Sequence, residues 1–153
     1  MSSEEFDSVI DELDKGIIKQ LSKNGRMSFA EIASELDVTE KTVRKRYNQM
    51  VDNNILEVVG VVNPITIGIK VSAIVQVQVV PQYIDEVITS LTNIPVIRYV
   101  TTLTGEYQLL GQVNVRSYEE LNETVKKIYQ IPHIQSTNVL VQMDVHKNTF
   151  EYL

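Results

Sequence analysis

The chain has 153 residues, 43% of them hydrophobic and 22% charged, with a formal net charge of -6 and no cysteine. This balance describes a folded protein of one domain or two small ones, and it excludes a disulfide framework, thiolate metal sites and cysteine nucleophiles. No apolar run approaches the roughly 18 residues of a membrane span. The acidic opening MSSEEFDSVIDE also lacks the apolar region of a secretory signal, so a cytoplasmic protein without a membrane partner is expected.

Leu13, Ile17, Ile18 and Leu21 recur at helical spacing, and Asn24-Gly25 is expected to supply the left-handed residue that ends this first helix. Ser28-Phe29-Ala30-Glu31 reads as a capping box, with Ile32, Ala33 and Leu36 as the buried stripe of a second helix. Asp37-Val38 makes a tight turn, Thr39 is the next cap, and Val43, Tyr47 and Met50 form a third stripe. Asn53-Asn54 ends that helix, since Asn tolerates the left-handed region better than most residues. None of the three helices is long enough to be stable alone, but together they form a three-helix (winged) helix-turn-helix spanning 1–54.

The net negative charge does not decide what the helical part binds, because charge is screened within about 8–10 Å at physiological salt. Lys41, Arg44, Lys45 and Arg46 fall within six positions, preceded by one acid, Glu40, while the other acids of this half lie mostly between Glu4 and Asp14. At 100° per residue, Lys41, Arg44, Lys45 and Asn48 share the face opposite Val43, Tyr47 and Met50. A cationic helix face after a tight turn suits the major groove: Thr39, Glu40 and Thr42 at its start are expected to meet base edges, and the cations to hold phosphates. Ser28 and Arg26 are placed beside the same duplex. Arg26 either touches a phosphate or helps the end of the first helix.

After Asn54 the pattern changes. Ile55 to Val62 is rich in β-branched residues and predicts a strand, broken by Asn63-Pro64, so 55–67 reads as a strand linker or hinge. From 68 to 153 strands and helices alternate. Val71 to Val80 includes a period-2 run, Pro81 to Leu91 is helical, and Val96–Thr104 and Tyr107–Val115 are strands joined by a turn at Gly105-Glu106. Ser117 opens a helix running to about Tyr129, and Ile134 to Val145 is a last strand. The order β-α-β-β-α-β is the ferredoxin-like arrangement, and the whole chain is α+β.

No nucleophilic triad, P-loop or dinucleotide-binding loop is present, so no catalytic residue, metal or cofactor is expected. His133 and His146 are isolated; His133 follows Pro132 in a loop. The pairs Asp85-Glu86 and Glu119-Glu120 sit on outer helix faces as solvated charge.

The ordered series Leu13-Asp14, Ile17, Ile18, Leu21, Asn24-Gly25-Arg26, Glu31-Ile32-Ala33, Val38-Thr39, Thr42-Val43 and Arg46 resembles the amino-terminal domain of the Lrp/AsnC (feast/famine) transcription regulators. Thr102-Leu103-Thr104-Gly105-Glu106-Tyr107 and Ile134-Gln135-Ser136-Thr137 resemble the RAM domain of the same family. The resemblance implies a sequence-specific DNA-binding regulator that reads a pseudo-palindromic duplex as a homodimer. It implies further assembly to tetramer or octamer, with RAM sheets packed face to face through the apolar face of 71–80.

The resemblance also implies an amino-acid-type effector in a cleft between dimers, lined by Thr102, Gly105, Glu106, Tyr107, Gln108, Gln135 and Thr137. Two positions depart from the family pattern. Many members carry Gly at the position of Asn54 and Asp at that of Gln108, where the carboxylate helps to hold the effector's amino group. Two other readings remain open from the residues. One is a ligand-sensing subunit that docks on an enzyme; the other is an architectural DNA-binding protein of low specificity.

Overall fold

Three apolar stripes account for the first part of the chain. The computed structural model describes residues 10–147 and divides into two compact units, one ending at Val61 and the other covering Val62–His146. The first unit holds α1 (Glu12–Lys23), α2 (Phe29–Glu35) and α3 (Glu40–Asp52). Ile17, Leu21, Ile32, Ala33, Val43 and Met50 are buried together, with Leu13, Ile18, Phe29, Leu36 and Tyr47 packed at the margin. Each fully buried aliphatic side chain contributes about 1.5–3 kcal/mol, which supplies what these short helices lack in isolation.

The helix ends follow the capping chemistry. Ser28 and Glu31 form the reciprocal box at α2, and the Thr39 hydroxyl accepts from the Thr42 amide at the start of α3. A further box at α1, between Asp11 and Asp14, was not singled out in the sequence. Asp37 has φ 51° in the turn between α2 and α3, and Asn54 has φ 56° after α3. There the Ile55 amide donates to the Met50 carbonyl at 2.8 Å and the Asn54 amide to the Val51 carbonyl at 3.0 Å, closing α3 with a Schellman motif.

The end of α1 differs from expectation. Asn24 is extended at φ -146° and Gly25 has no positive φ. The helix ends in an Asx turn, with the Arg26 amide donating to Asn24 Oδ1 at 3.1 Å. Glycine suits position 25 because a Cβ there would meet Val58 Cγ1 at 3.2 Å.

No strand forms between Asn53 and Lys70 among the described residues of the single chain, so the strand expected over 55–62 is not paired within it. A strand is defined by bonds to a neighbour, and no other described part of this chain pairs with that segment. Val58, Val59, Val61, Val62, Ile65 and Ile67 are left exposed, Ile65 at 78%.

The second unit is a four-stranded antiparallel sheet in the order β2-β3-β1-β4. Its strands are β1 (Val71–Val79), β2 (Ile97–Thr102), β3 (Leu109–Val115) and β4 (Ile134–Val141). A 3-10 turn at Pro81–Tyr83 leads into α4 (Ile84–Thr92), and α5 (Tyr118–Tyr129) follows β3. Burial alternates strictly along β1. Val71, Ala73, Val75, Val77 and Val79 share one core with Val87 and Leu91 of α4 and Leu121, Val125 and Ile128 of α5.

The apolar face of 71–80 is therefore covered by the chain's own helices, which corrects its assignment as a surface for a second sheet. The opposite face is polar and cross-linked. Ser72 Oγ donates to Asn114 Oδ1 at 2.7 Å, Asn138 Nδ2 to Gln76 Oε1 at 2.8 Å, and Ser136 Oγ to Gln78 Oε1 at 2.8 Å. Tyr99 and Leu140 lie on this face with them and are exposed.

Candidate nucleic-acid interface and effector loop

α3 is amphipathic in the sense the sequence predicts. Val43 and Met50 are buried, Tyr47 is half-buried, and Lys41, Arg44, Lys45 and Asn48 are exposed together on the opposite side. The side chains of Lys41, Lys45, Asn48 and Arg26 have no hydrogen bond or ion pair among the described residues, and all four are exposed.

The remaining residues of the expected DNA-contact set are engaged. Arg44 Nη2 lies 2.6 Å from Glu40 Oε1, and its guanidinium sits 5.1 Å from the centroid of the Phe29 ring. Phe29 in turn packs on Tyr47 with centroids 5.0 Å apart, so α2 holds the middle of α3 and steers Arg44 along its surface. Thr39 and Thr42 bond to each other, with their hydroxyls 2.8 Å apart. Ser28 donates from its amide and its hydroxyl to Glu31 at 2.8 and 2.7 Å, and those bonds hold the Glu31 carboxyl below the usual carboxylate range.

Arg46 is not part of the outward face. Its guanidinium is 2.7 Å from Asp11 Oδ2 and 3.1 Å from Asp14 Oδ2. The Asp14 side chain is only 8% exposed, and its second oxygen has no partner. The Asp11 carboxyl is held low, first by the Asp14 amide and then by Arg46. Arg46 thus ties the start of α1 to α3, a pairing across 32 positions that helical spacing alone does not reveal.

A groove of about 500 Å³ between α1 and residues 55–61 is lined largely by apolar side chains such as Ile18, Leu21 and Val58. It lacks the cations of the α3 face.

In the second unit the residues expected to line an effector cleft fall into two groups. The β2–β3 hairpin closes with the Leu103 amide donating to the Gln108 carbonyl at 2.7 Å. It carries Thr102, Gly105, Glu106, Tyr107 and Gln108, and Gly105 has φ 114°, a region that favours glycine. Gln135 and Thr137 lie on β4. The register aligns Thr102 with Leu109, Leu109 with Val77, and Val77 with Thr137. Thr102 and Thr137 therefore stand on the two edge strands, roughly 14 Å apart at three strand spacings. One protomer does not bring all seven around a single small molecule. The Thr137 hydroxyl is buried without a partner.

Among the described residues, no group of three or more His, Asp and Glu is placed to hold a metal, and no helix is long and apolar enough to cross a membrane. The His133 ring stacks on Tyr83 at 3.5 Å, with its backbone at φ 70°.

Two family models match this arrangement. The AsnC-type helix-turn-helix domain matches residues 10–51, and the Lrp/AsnC ligand binding domain matches residues 72–152. The chain belongs to the Lrp/AsnC family.

It is a transcriptional regulator rather than an enzyme, with an AsnC-type helix-turn-helix DNA-binding domain and a ligand-binding domain. An uncharacterized HTH-type transcriptional regulator of Pyrococcus furiosus is 35% identical over 141 residues, 91% of this chain and 95% of that protein. The solved structure of Escherichia coli AsnC superposes with a TM-score of 0.85 at 26% identity, covering 91% of this chain and 95% of that one. A Neisseria meningitidis transcriptional regulator solved as an L-Met complex has the same fold, with a TM-score of 0.85 at 19% identity over 92% of this chain and 94% of that one.

Proposed function

We propose that this Lrp/AsnC-family regulator reads a pseudo-palindromic DNA duplex as a cytoplasmic homodimer. In this reading α3 enters the major groove. Lys41 and Lys45 hold phosphates together with Arg26, and Asn48 and the first turn, Thr39, Glu40 and Thr42, meet base edges. Arg44 shares its charge with Glu40 until a phosphate competes for it. The observation that carries the reading is the face of α3 itself: Val43 and Met50 are buried and Tyr47 is half-buried, while Lys41 and Lys45 are exposed on the opposite side.

The reading divides the chain into a DNA-reading head over 1–54, a connecting segment over 55–67 and an assembly and effector domain over 68–153. Residues 55–62 pair with a second copy, which supplies the backbone partners the segment lacks within one chain. Tetramers or octamers built from such dimers bring the hairpin of one protomer to β4 of another, which brings the seven effector residues together. The effector is an amino acid or a related small molecule; the Neisseria regulator of the same fold was solved as an L-Met complex. Its binding changes the spacing of the heads by favouring one assembly geometry over another.

Genomic selection of bound DNA with and without a pool of amino acids and related acids tests the proposal. An enriched motif with two-fold symmetry supports it. Equal retention of selected and random duplexes would favour an architectural role, and no retained DNA would sink it.

A further inference from the structure

The side-chain amide of Gln108 is used at both ends. Its Oε1 accepts from the Val79 amide at the end of β1, at 2.9 Å. Its Nε2 donates to the Glu106 carbonyl at 3.0 Å and approaches the Gly105 carbonyl at 3.4 Å. The bond from Val79 fixes which end of the amide is oxygen, since an N–H needs an acceptor, so the NH2 group faces the two loop carbonyls.

We propose that Gln108 is an internal ligand of the β2–β3 hairpin, occupying the carbonyl acceptors of Gly105 and Glu106 that an ammonium group would need, so that this loop selects effectors without that group. The inference rests on the reading above that the hairpin faces an effector.

The argument is one of donors and acceptors. A carboxylate at position 108 could still accept from Val79, but it has no proton for the carbonyls of Gly105 and Glu106. Two carbonyls and one negative charge would then converge on a single point, which is a site for a cation with several N–H donors. The glutamine amide satisfies the same carbonyls from within the chain and carries no charge. An incoming ammonium group would have to break those bonds and would find only a neutral amide oxygen in return, itself held by Val79. The one carboxylate of the loop, Glu106, is exposed, and solvent screens it. Ligands that need no acceptor cluster here, such as 2-oxo acids or N-acylated amino acids, lose nothing by the substitution.

The test uses the full chain, its Q108D, Q108E and Q108A variants, the twenty amino acids, and their 2-oxo and N-acetyl counterparts. Thermal melting of the wild-type chain is expected to be unmoved by the amino acids. Q108D, or the longer Q108E if Q108D does not fold, should gain a rise of at least about 4 °C with one or more of them at saturation. Hydrogen exchange at the Val79 amide should be faster in Q108A. Stabilisation of the wild-type chain by an α-amino acid overturns the inference. So does silence of both carboxylate variants, or unchanged Val79 exchange in Q108A. The effector reading is judged separately, by whether the pool of small molecules changes which DNA the wild-type chain retains. If the pool changes nothing, the effector reading fails. If α-amino acids alone change it, only the role of Gln108 fails.

Discussion

Arg46 Nη1 lies 3.1 Å from the carboxylate of Asp14, a side chain almost removed from solvent. Helix α3 thus carries one arginine whose charge is directed into its own domain. Arg46→Ala leaves that carboxylate buried with nothing to neutralise it. We expect a loss of about 2–3 kcal/mol, somewhat under the usual cost of breaking a buried pair because the guanidinium is itself a third exposed. Urea unfolding checks the loss, and Arg46→Met combined with Asp14→Leu should recover most of it.

In the proposed reading the outward cations act through phosphates. In Lys41→Ala/Lys45→Ala the slope of log Kobs against log salt should become shallower by about 4 for a dimer on its duplex, one contact per lysine in each of the two heads. Retained DNA binding by Arg46→Ala should show an unchanged slope. An equal loss of slope in both would mean that Arg46 leaves Asp14 to meet the duplex.

Glu40→Gln should tighten binding to random duplex at low salt by about threefold, because it removes a negative charge near the phosphates and frees Arg44, whereas any base contact of Glu40 in the target site is lost. The gain should fade as salt rises. A filter-binding series from 50 to 300 mM salt, of the order over which screening changes, reads both effects.

The capping carboxylates make the first unit acid-sensitive. Glu31 and Asp11 are both held below their ordinary values when folded. Groups shifted that way stabilise the fold above their unfolded pKa, and the contribution is lost as pH falls through the folded value. Stability should be flat from neutrality down to about pH 5 and decline below about pH 4. In Ser28→Ala the cap is lost at every pH, about 1 kcal/mol, and the acid decline becomes less steep. Urea midpoints measured across pH decide both points.

Asn54 sits at φ 56°. Asn54→Gly should be neutral or slightly stabilising, whereas Asn54→Val should cost about 1–2 kcal/mol from the left-handed backbone. A valine variant as stable as the parent would mean that the end of α3 re-forms differently.

Much of the fold was legible because its signals are local. Ser28 and Glu31, Thr39, and the stripe Val43, Tyr47 and Met50 are read within a few positions, and the alternation along 71–79 names a strand with one buried face. What that face packs against is set by α4 and α5, so the same alternation did not distinguish a helix cover from a second sheet. The link of Arg46 to Asp14 was hidden for a similar reason, since a basic residue in a basic run has no local mark that turns it inward. The strand over 55–62 was legible as a preference, but preference does not supply a partner. At Gln108 the sequence revealed a missing charge, and only the geometry revealed that the amide donates to its own loop.

The bare stretch from Val58 to Ile67 also bears on the fate of a solitary subunit. Unpaired backbone beside branched apolar side chains adheres to other extended chains, and chaperones and proteases act on such surfaces. If residues 55–62 pair with a second copy as proposed, a subunit without one keeps this surface open and becomes a target for clearance. The cell's supply of active regulator then tracks how often new subunits meet, so that low expression lowers active regulator more than in proportion.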